Sequence, residues 1–310
     1  MGVKKKHGVP DLAVILSTSE RPTITAGCFT RNAFKAAPVI VSNAILKRNG
    51  GYARAVVMNS VYANAVRRKQ GLDDAWAMVK ETDSLLHKRS CTKFEHETLV
   101  MSTGVIGQNL PISKIVACIR SQSDKESSTR ILGSDFTAWE RAAQAFMTTD
   151  TFPKLRSRSF TIGGVEYRFA GIDKGAGMIH PNMGPAGTSF ASPKQLHATL
   201  LGCIMTDAAV SPRSLQSALT YAVDRSFNSI SVDGDMSTND SIYVLANGAV
   251  SNGFTIDEEN TKDAYEIFKH ELTDFAIGLA KLVVRDGEGA TKFVTVTVKV
   301  KSYFFSLTRL

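Results

Sequence analysis

Two periodicities alternate along this chain without settling into a repeating unit. Residues 53–60 (ARAVVMNS) form an apolar run of strand length. FTIGGVEYRFAGIDKG, residues 160–175, reads as a hairpin turning at Gly163-Gly164. FVTVTVKV, residues 293–300, alternates strictly, with Val294, Val296, Val298 and Val300 on one face, and predicts a further strand. Helical spacing lies between these runs. Residues 134–147 place Phe136, Trp139, Ala143 and Phe146 on one face, with Ser134 or Asp135 as the cap. A second helix opens at Ser211-Pro212 with Leu215, Leu219 and Val223 inward. A third starts at Asn260 or Thr261 and carries Ile267, Phe268, Leu272, Phe275 and Leu279. PKQLHATLLGCIMTDA, residues 193–208, also reads as a helix. No regular strand–helix–strand rhythm connects them, so the expected class is α+β or layered α/β.

The chain has 310 residues, 43% hydrophobic and 21% charged, enough for one large domain or two of medium size. No run of about 18 apolar residues is present, so no transmembrane helix is expected. The formal charge is +8, but the cations are scattered apart from Lys4-Lys5-Lys6 and Arg67-Arg68-Lys69. That distribution suits a solvated surface better than a nucleic-acid footprint. Cys28, Cys91, Cys118 and Cys203 match no metal spacing, and the six histidines are dispersed, so no metal site is expected. The start, MGVKKKHGVPDLAVIL, has a basic head and an apolar run too short for a signal-peptide core, and no Arg-rich amphipathic helix.

Five stretches could carry chemistry. Thr199 follows Ala198 and a Gly/Pro/Ser-rich segment, GPAGTSFASPKQ (184–195), expected to be a surface loop. Thr199 suits a helix N-cap. It also suits a nucleophile whose own α-amine is the base, which requires a cut between Ala198 and Thr199. In STGVIGQNLP (102–111), an apolar run leads into Thr103-Gly104, which can offer a hydroxyl and an N–H as an oxyanion hole, or simply turn the chain. IDKGAGMIHPNM (172–183) puts Lys174 before two glycines, without the GxGxxG or Walker spacing. MTTDTFPK (147–154) offers the hydroxyls of Thr148, Thr149 and Thr151. VRDGEGATKF (284–293) places Asp286 and Glu288 in a glycine-rich turn, where a carboxylate can hold a substrate ammonium or stay solvated.

Together and in this order, these stretches carry a resemblance. FTRNAFKAAPVIVS (29–42), QGLDDA (70–75), STGVIG, TTDTFPK, KGAGMIHPNM, ATLLG, TDAAV, SVDGDMSTND (231–240) and VRDGEGATKF span about residues 23 to 293. The chain resembles the ornithine acetyltransferase family, the bifunctional glutamate N-acetyltransferase of arginine biosynthesis, and its mitochondrial fungal branch in particular.

The resemblance implies a layered αββα sandwich of the N-terminal-nucleophile type. It implies cleavage between Ala198 and Thr199 into an α chain, residues 1–198, and a β chain, residues 199–310, assembling as a heterotetramer. Thr199 is then the nucleophile, Thr103 and Gly104 the oxyanion hole, and Thr148 (or its neighbour Thr149), Lys174 and Glu288 the substrate-binding residues. The implied substrates are N-acetylornithine and glutamate, with no metal or organic cofactor and with acetyl-CoA as an alternative acetyl donor in some members. The implied compartment is the mitochondrial matrix. Three departures accompany the match. The family's N-S-G-x-A-N-A-x-T-G stretch has Val61 for its first glycine and Arg67-Arg68 for its Thr-Gly. Family members continue past the GATKF strand, whereas this chain ends in KSYFFSLTRL, and the usual leading strand is missing. The competing expectations are an aminopeptidase or amidase of the same fold, an unprocessed fragment, and a basic nucleic-acid binder.

Overall fold

The computed structural model describes residues 8–86, 94–123, 130–187, 199–250 and 252–298. In chain order the elements are β1 (Leu12–Leu16), β2 (Ile24–Thr30), α1 (Ala37–Asn49), β3 (Ala55–Asn59), α2 (Arg68–Asp83), β4 (Thr98–Ser102), α3 (Ile112–Arg120), α4 (Phe136–Phe146), β5 (Lys154–Ile162), β6 (Val165–Lys174), β7 (Met183–Pro185), β8 (Leu201–Thr206), α5 (Pro212–Arg225), β9 (Ser241–Ala246) and α6 (Lys262–Arg285). They build two sheets. One has three strands in the order β1-β3-β4, the other six in the order β5-β6-β8-β9-β2-β7. Among the described strands, only β3/β4 and β8/β9 pair in parallel.

Helices α5 and α6 cover one face of the larger sheet, burying Leu215, Leu219 and Val223 together with Phe268, Leu272 and Leu279. Phe169 of β6 meets Phe160, Phe268 and Phe275 at ring separations of 4.5, 5.6 and 5.3 Å, which fastens the hairpin to α6. The opposite face packs through Ile172, Leu201, Cys203 and Tyr243 on the smaller sheet, whose far side carries α2. The layers run helix, sheet, sheet, helix. This is the expected αββα class, with every residue of β3 and β4 buried as an inner sheet demands. Among the described residues, no helix is long and apolar enough to cross a membrane.

Most local expectations hold. The Asp135 carboxylate accepts the Ala138 N–H at 2.7 Å and caps α4. Pro212 opens α5, and Thr261 precedes α6. The hairpin turns at Gly163-Gly164 with φ of 58° and 79°. Phe136 and Ile267 prove exposed, because the first turn of α4 overhangs the core and Ile267 lies beside the α6 stripe.

Two expectations are corrected. Residues 193–208 are not one helix: 193–198 lie outside the described residues, and Leu201–Thr206 is strand β8, hydrogen-bonded between β6 and β9. An unbroken apolar run buried on both faces has no period that separates strand from helix. The alternating run at 293–298 forms no strand and is exposed, and Lys299 and Val300 lie outside the described residues. Alternation is only a propensity, and no described strand pairs with this segment. Of the expected loop at 184–195, Gly184 and Pro185 belong to β7 and residues 188–195 lie outside the described residues.

Candidate active site

Thr199 precedes a strand, not a helix, so its side chain caps nothing. It is 3% exposed, and its Oγ1 lies 2.8 Å from Ser237 Oγ. Its carbonyl oxygen accepts a hydrogen bond from Lys174 Nζ at 2.8 Å. The same ammonium reaches Thr103 Oγ1 at 3.3 Å. Three strand ends therefore converge. Strand β6 ends on Lys174, β4 runs into Thr103, and β8 starts just after Thr199. Lys174 and Thr103 are both fully buried. The Thr103 N–H is taken by the Asn59 carbonyl at 3.0 Å, so this residue offers its hydroxyl, not its amide, to a developing oxyanion.

Gly104 stands at φ 110°. A Cβ there would lie 2.3 Å from the Val61 carbonyl oxygen, so the 61–68 loop approaches through backbone and only glycine fits beneath it. That contact explains how Val61 is tolerated, since its carbonyl and not its side chain meets Gly104. Arg67 is held by a 3.0 Å bond from Nη1 to the Gly107 carbonyl. Arg68, where the family pattern has glycine, adopts φ 49°, and Val66 adopts φ 59°. Left-handed backbone at a side-chain-bearing residue costs about 1–2 kcal/mol. Arg68→Gly is therefore expected to raise stability by about 0.5–1 kcal/mol, part of the relief being offset by unfolded-chain entropy. A urea midpoint that falls would contradict this.

The substrate-binding candidates sit on one buried ionic scaffold. Lys154 Nζ lies 2.6 Å from Asp150 Oδ1 and 2.5 Å from Asp286 Oδ2, and all three side chains are buried. Asp150 also accepts the N–H of Gly175, directly after Lys174, at 2.8 Å, and the N–H of Thr148 at 2.9 Å. Asp286 accepts from the Thr151 hydroxyl and from its N–H at 2.9 Å. It is therefore committed to the scaffold, and the carboxylate left for a ligand is that of Glu288. Glu288 is exposed, its N–H donates to the Ala176 carbonyl at 2.7 Å, and its carboxylate lies over Gly177. Thr148 is half-buried, and Asp150 joins its N–H to that of Gly175, the residue after Lys174. Thr149 is exposed, and no described contact joins it to the group. Ala198 lies outside the described residues.

Charges are tuned by this burial. Desolvation lowers the Lys174 pKa, opposed by Asp150, Asp240 and Glu288. For Asp150, desolvation is outweighed by Lys174 and Lys154 together, which hold the carboxyl at about 2. Burial pushes Asp173, paired in register with Lys154, well above the carboxylate range, and among the described residues neither of its carboxyl oxygens has a hydrogen-bond partner. Among the described residues, no group of three or more His, Cys, Asp or Glu is arranged to hold a metal.

Motif matching brought SVDGDMSTND (231–240) forward but gave no role to its Ser237–Asp240 segment. The Asn239 N–H donates to Ser237 Oγ at 3.0 Å, and Asn239 Nδ2 donates to the carbonyls of Ala63 and Ser102 at 2.7 and 2.8 Å. Ser237 is thereby held against Thr199. All lie in SVDGDMSTND, whose polar density between apolar segments was the available signal.

The ArgJ family model matches residues 1–303. The protein named arginine biosynthesis bifunctional protein ArgJ, mitochondrial, of Coprinopsis cinerea is 80% identical over 298 residues, covering 96% of this chain and 62% of its own length. The protein of that name in Laccaria bicolor is 76% identical over 298 residues, with 96% and 62% covered. The one in Cryptococcus neoformans is 52% identical over 310 residues, with 96% and 61% covered. The chain thus spans about three fifths of the length of these curated relatives. On this match, together with the motifs that build the site, the chain belongs to the ArgJ family.

Proposed function

We propose that this chain carries the self-cleaving, nucleophile-bearing site of an acetyltransferase that moves an acetyl group from N2-acetyl-L-ornithine to L-glutamate. The observation that carries the proposal is the convergence of Thr199, Lys174, Thr103 and Ser237 in one buried cluster. Thr199 Oγ attacks the carbonyl carbon of Ala198. The Ala198–Thr199 amide bond breaks, leaving an ester on Oγ and a free α-amine. Water hydrolyses the ester and gives an α chain of residues 1–198 and a β chain starting at Thr199. The freed α-amine, with an ordinary pKa near 7.7–8.0, then takes the hydroxyl proton when Thr199 attacks N-acetylornithine. The Thr103 hydroxyl and the Gly104 N–H receive the oxyanion, and the buried Lys174 ammonium beside them adds positive potential. The amine proton goes to the departing ornithine. Glutamate then takes the acetyl group from Thr199 by the reverse of the same steps.

Glu288, exposed above Gly177, suits a substrate ammonium, and Thr148 or Thr149 would bind the substrate as the resemblance implies. The chemistry needs no metal or organic cofactor; acetyl-CoA would serve as a second acetyl donor. The names of the relatives support arginine biosynthesis and a mitochondrial location, with matrix as the expected compartment. Two α and two β chains form the expected assembly.

A denaturing gel with intact mass tests the proposal. The expected result is two pieces that divide before Thr199, and one piece of 33.6 kDa for Thr199→Ala. A wild-type chain that stays whole would sink it. Hydrolysis of N-acetylornithine without transfer to glutamate would instead favour an amidase.

A further inference from the structure

We infer that Asp240 is the positioning residue that receives the α-ammonium of Thr199 once the bond before Thr199 is cut. The inference rests on the proposed self-cleavage and adds a residue to it. Asp240 is 1% exposed and stands immediately before β9. Because β9 pairs in parallel with β8, Ser241 lies opposite Leu201, and the Ser241 N–H donates to the Leu200 carbonyl at 3.1 Å. The Asp240 carboxylate is thus brought to the residue after Thr199. Its Oδ1 accepts the Leu200 N–H at 2.9 Å. Its Oδ2 is buried and has no hydrogen-bond partner among the described residues.

An unpaired buried carboxylate oxygen is costly and rare, so its retention asks for a partner. Self-cleavage creates one in the right place. The backbone nitrogens of Thr199 and Leu200 are three covalent bonds apart, within about 3.7 Å of each other. A carboxylate that already grips the second nitrogen can take the first on its other oxygen. Before cleavage Thr199 N is a neutral amide with one hydrogen. Afterwards it is a titrating amine whose ammonium form has three hydrogens, so a charge-assisted bond replaces an orphan in that resting form, and the amine acts as base once that proton has left. Burial holds the Asp240 carboxyl up at about 7, with the nearby Leu200 and Ser237 amides and Lys174 pulling it down and Asp233 pushing it up. An ammonium one residue away favours the ionised form. The pair would hold the amine beside its own hydroxyl, with Ser237 fixing the hydroxyl 2.8 Å away.

The test compares the full chain in two states, self-cleaved wild type and uncleaved Thr199→Ala, each with and without Asp240→Asn. Thermal midpoints are read for all four. Asp240→Asn is expected to lower the midpoint of the cleaved form by about 3–6 °C more than that of the uncleaved form. A residue that merely supports the Leu200 backbone would shift both equally, and that result overturns the inference while leaving the proposed function standing. Asp240→Asn that cleaves no further than Thr199→Ala also overturns it, because the role would precede the cut. A wild-type chain that never divides removes the functional proposal and this inference together. If Asp240→Asn fails to fold in either background, Asp240→Ser replaces it in the same comparison. Asp240→Glu, which keeps the carboxylate, is expected to restore at least half of the differential.

Discussion

Lys154→Met is expected to lower the free energy of unfolding by about 3–5 kcal/mol, among the largest effects of any single side chain here. The lysine is wholly buried between Asp150 and Asp286. Removing it leaves two carboxylates facing each other in a low dielectric with their shared cation gone. Lys174 cannot substitute, since its ammonium is held by Thr103 and the Thr199 carbonyl. Urea unfolding monitored by circular dichroism measures the loss, and a change below about 1 kcal/mol would contradict a buried, mutually dependent triad. The scaffold also sets an acid limit. The Asp150 carboxyl titrates at about 2 in the folded chain against 3.8 ordinarily, so its folded value is depressed. Its contribution is complete above the ordinary value and disappears as pH falls through about 2. Stability should decline across that window in wild type and more weakly in Asp150→Asn.

Gly104→Ala is expected to abolish efficient self-cleavage and to cost at least about 2 kcal/mol. The new Cβ would fall 2.3 Å from the Val61 carbonyl oxygen and 2.5 Å from its carbonyl carbon, both backbone atoms. Either the 61–68 loop or the Thr103–Gly104 turn must move. The loop is poorly able to yield, because Asn59 Oδ1 holds the Val61 and Tyr62 N–H groups at 3.3 and 3.2 Å. The turn therefore shifts, and with it the Thr103 hydroxyl that meets Lys174. Loss of one oxyanion donor slows such reactions by about 10²–10³-fold. A gel time course reads the division before Thr199. Gly163→Ala, at a hairpin turn with nothing within 4 Å of the new Cβ, is the control that should cleave normally. Cleavage of Gly104→Ala at the wild-type rate would remove the oxyanion role from this turn.

Local chemistry made part of this legible in sequence. The Asp135 cap, the Pro212 helix start and the Gly163-Gly164 hairpin each follow from a few neighbouring residues, and each was readable. The motif resemblance brought Thr103, Lys174, Glu288 and Thr199 forward, and the fold places Thr103, Lys174 and Thr199 in one buried cluster with Glu288 at its rim. Other features depended on distant partners. The run at 201–206 became a strand only because β6 and β9 lie on either side of it. The alternating run at 293–298 remained without regular structure because no described strand pairs with it.

Sequence by itself determined the class of the fold and the family, and brought forward the hydroxyl proposed as nucleophile, because these rest on pattern and on residue chemistry. Only the tertiary structure decided that Asp286 belongs to Lys154 and Thr151, not to a ligand. Only it brought Ser237 against Thr199 and Asp240 against Leu200, each about forty residues downstream. The reason is physical. A buried charge is stabilised by whatever the fold brings within about 3 Å of it, and that partner leaves no local spacing in the chain.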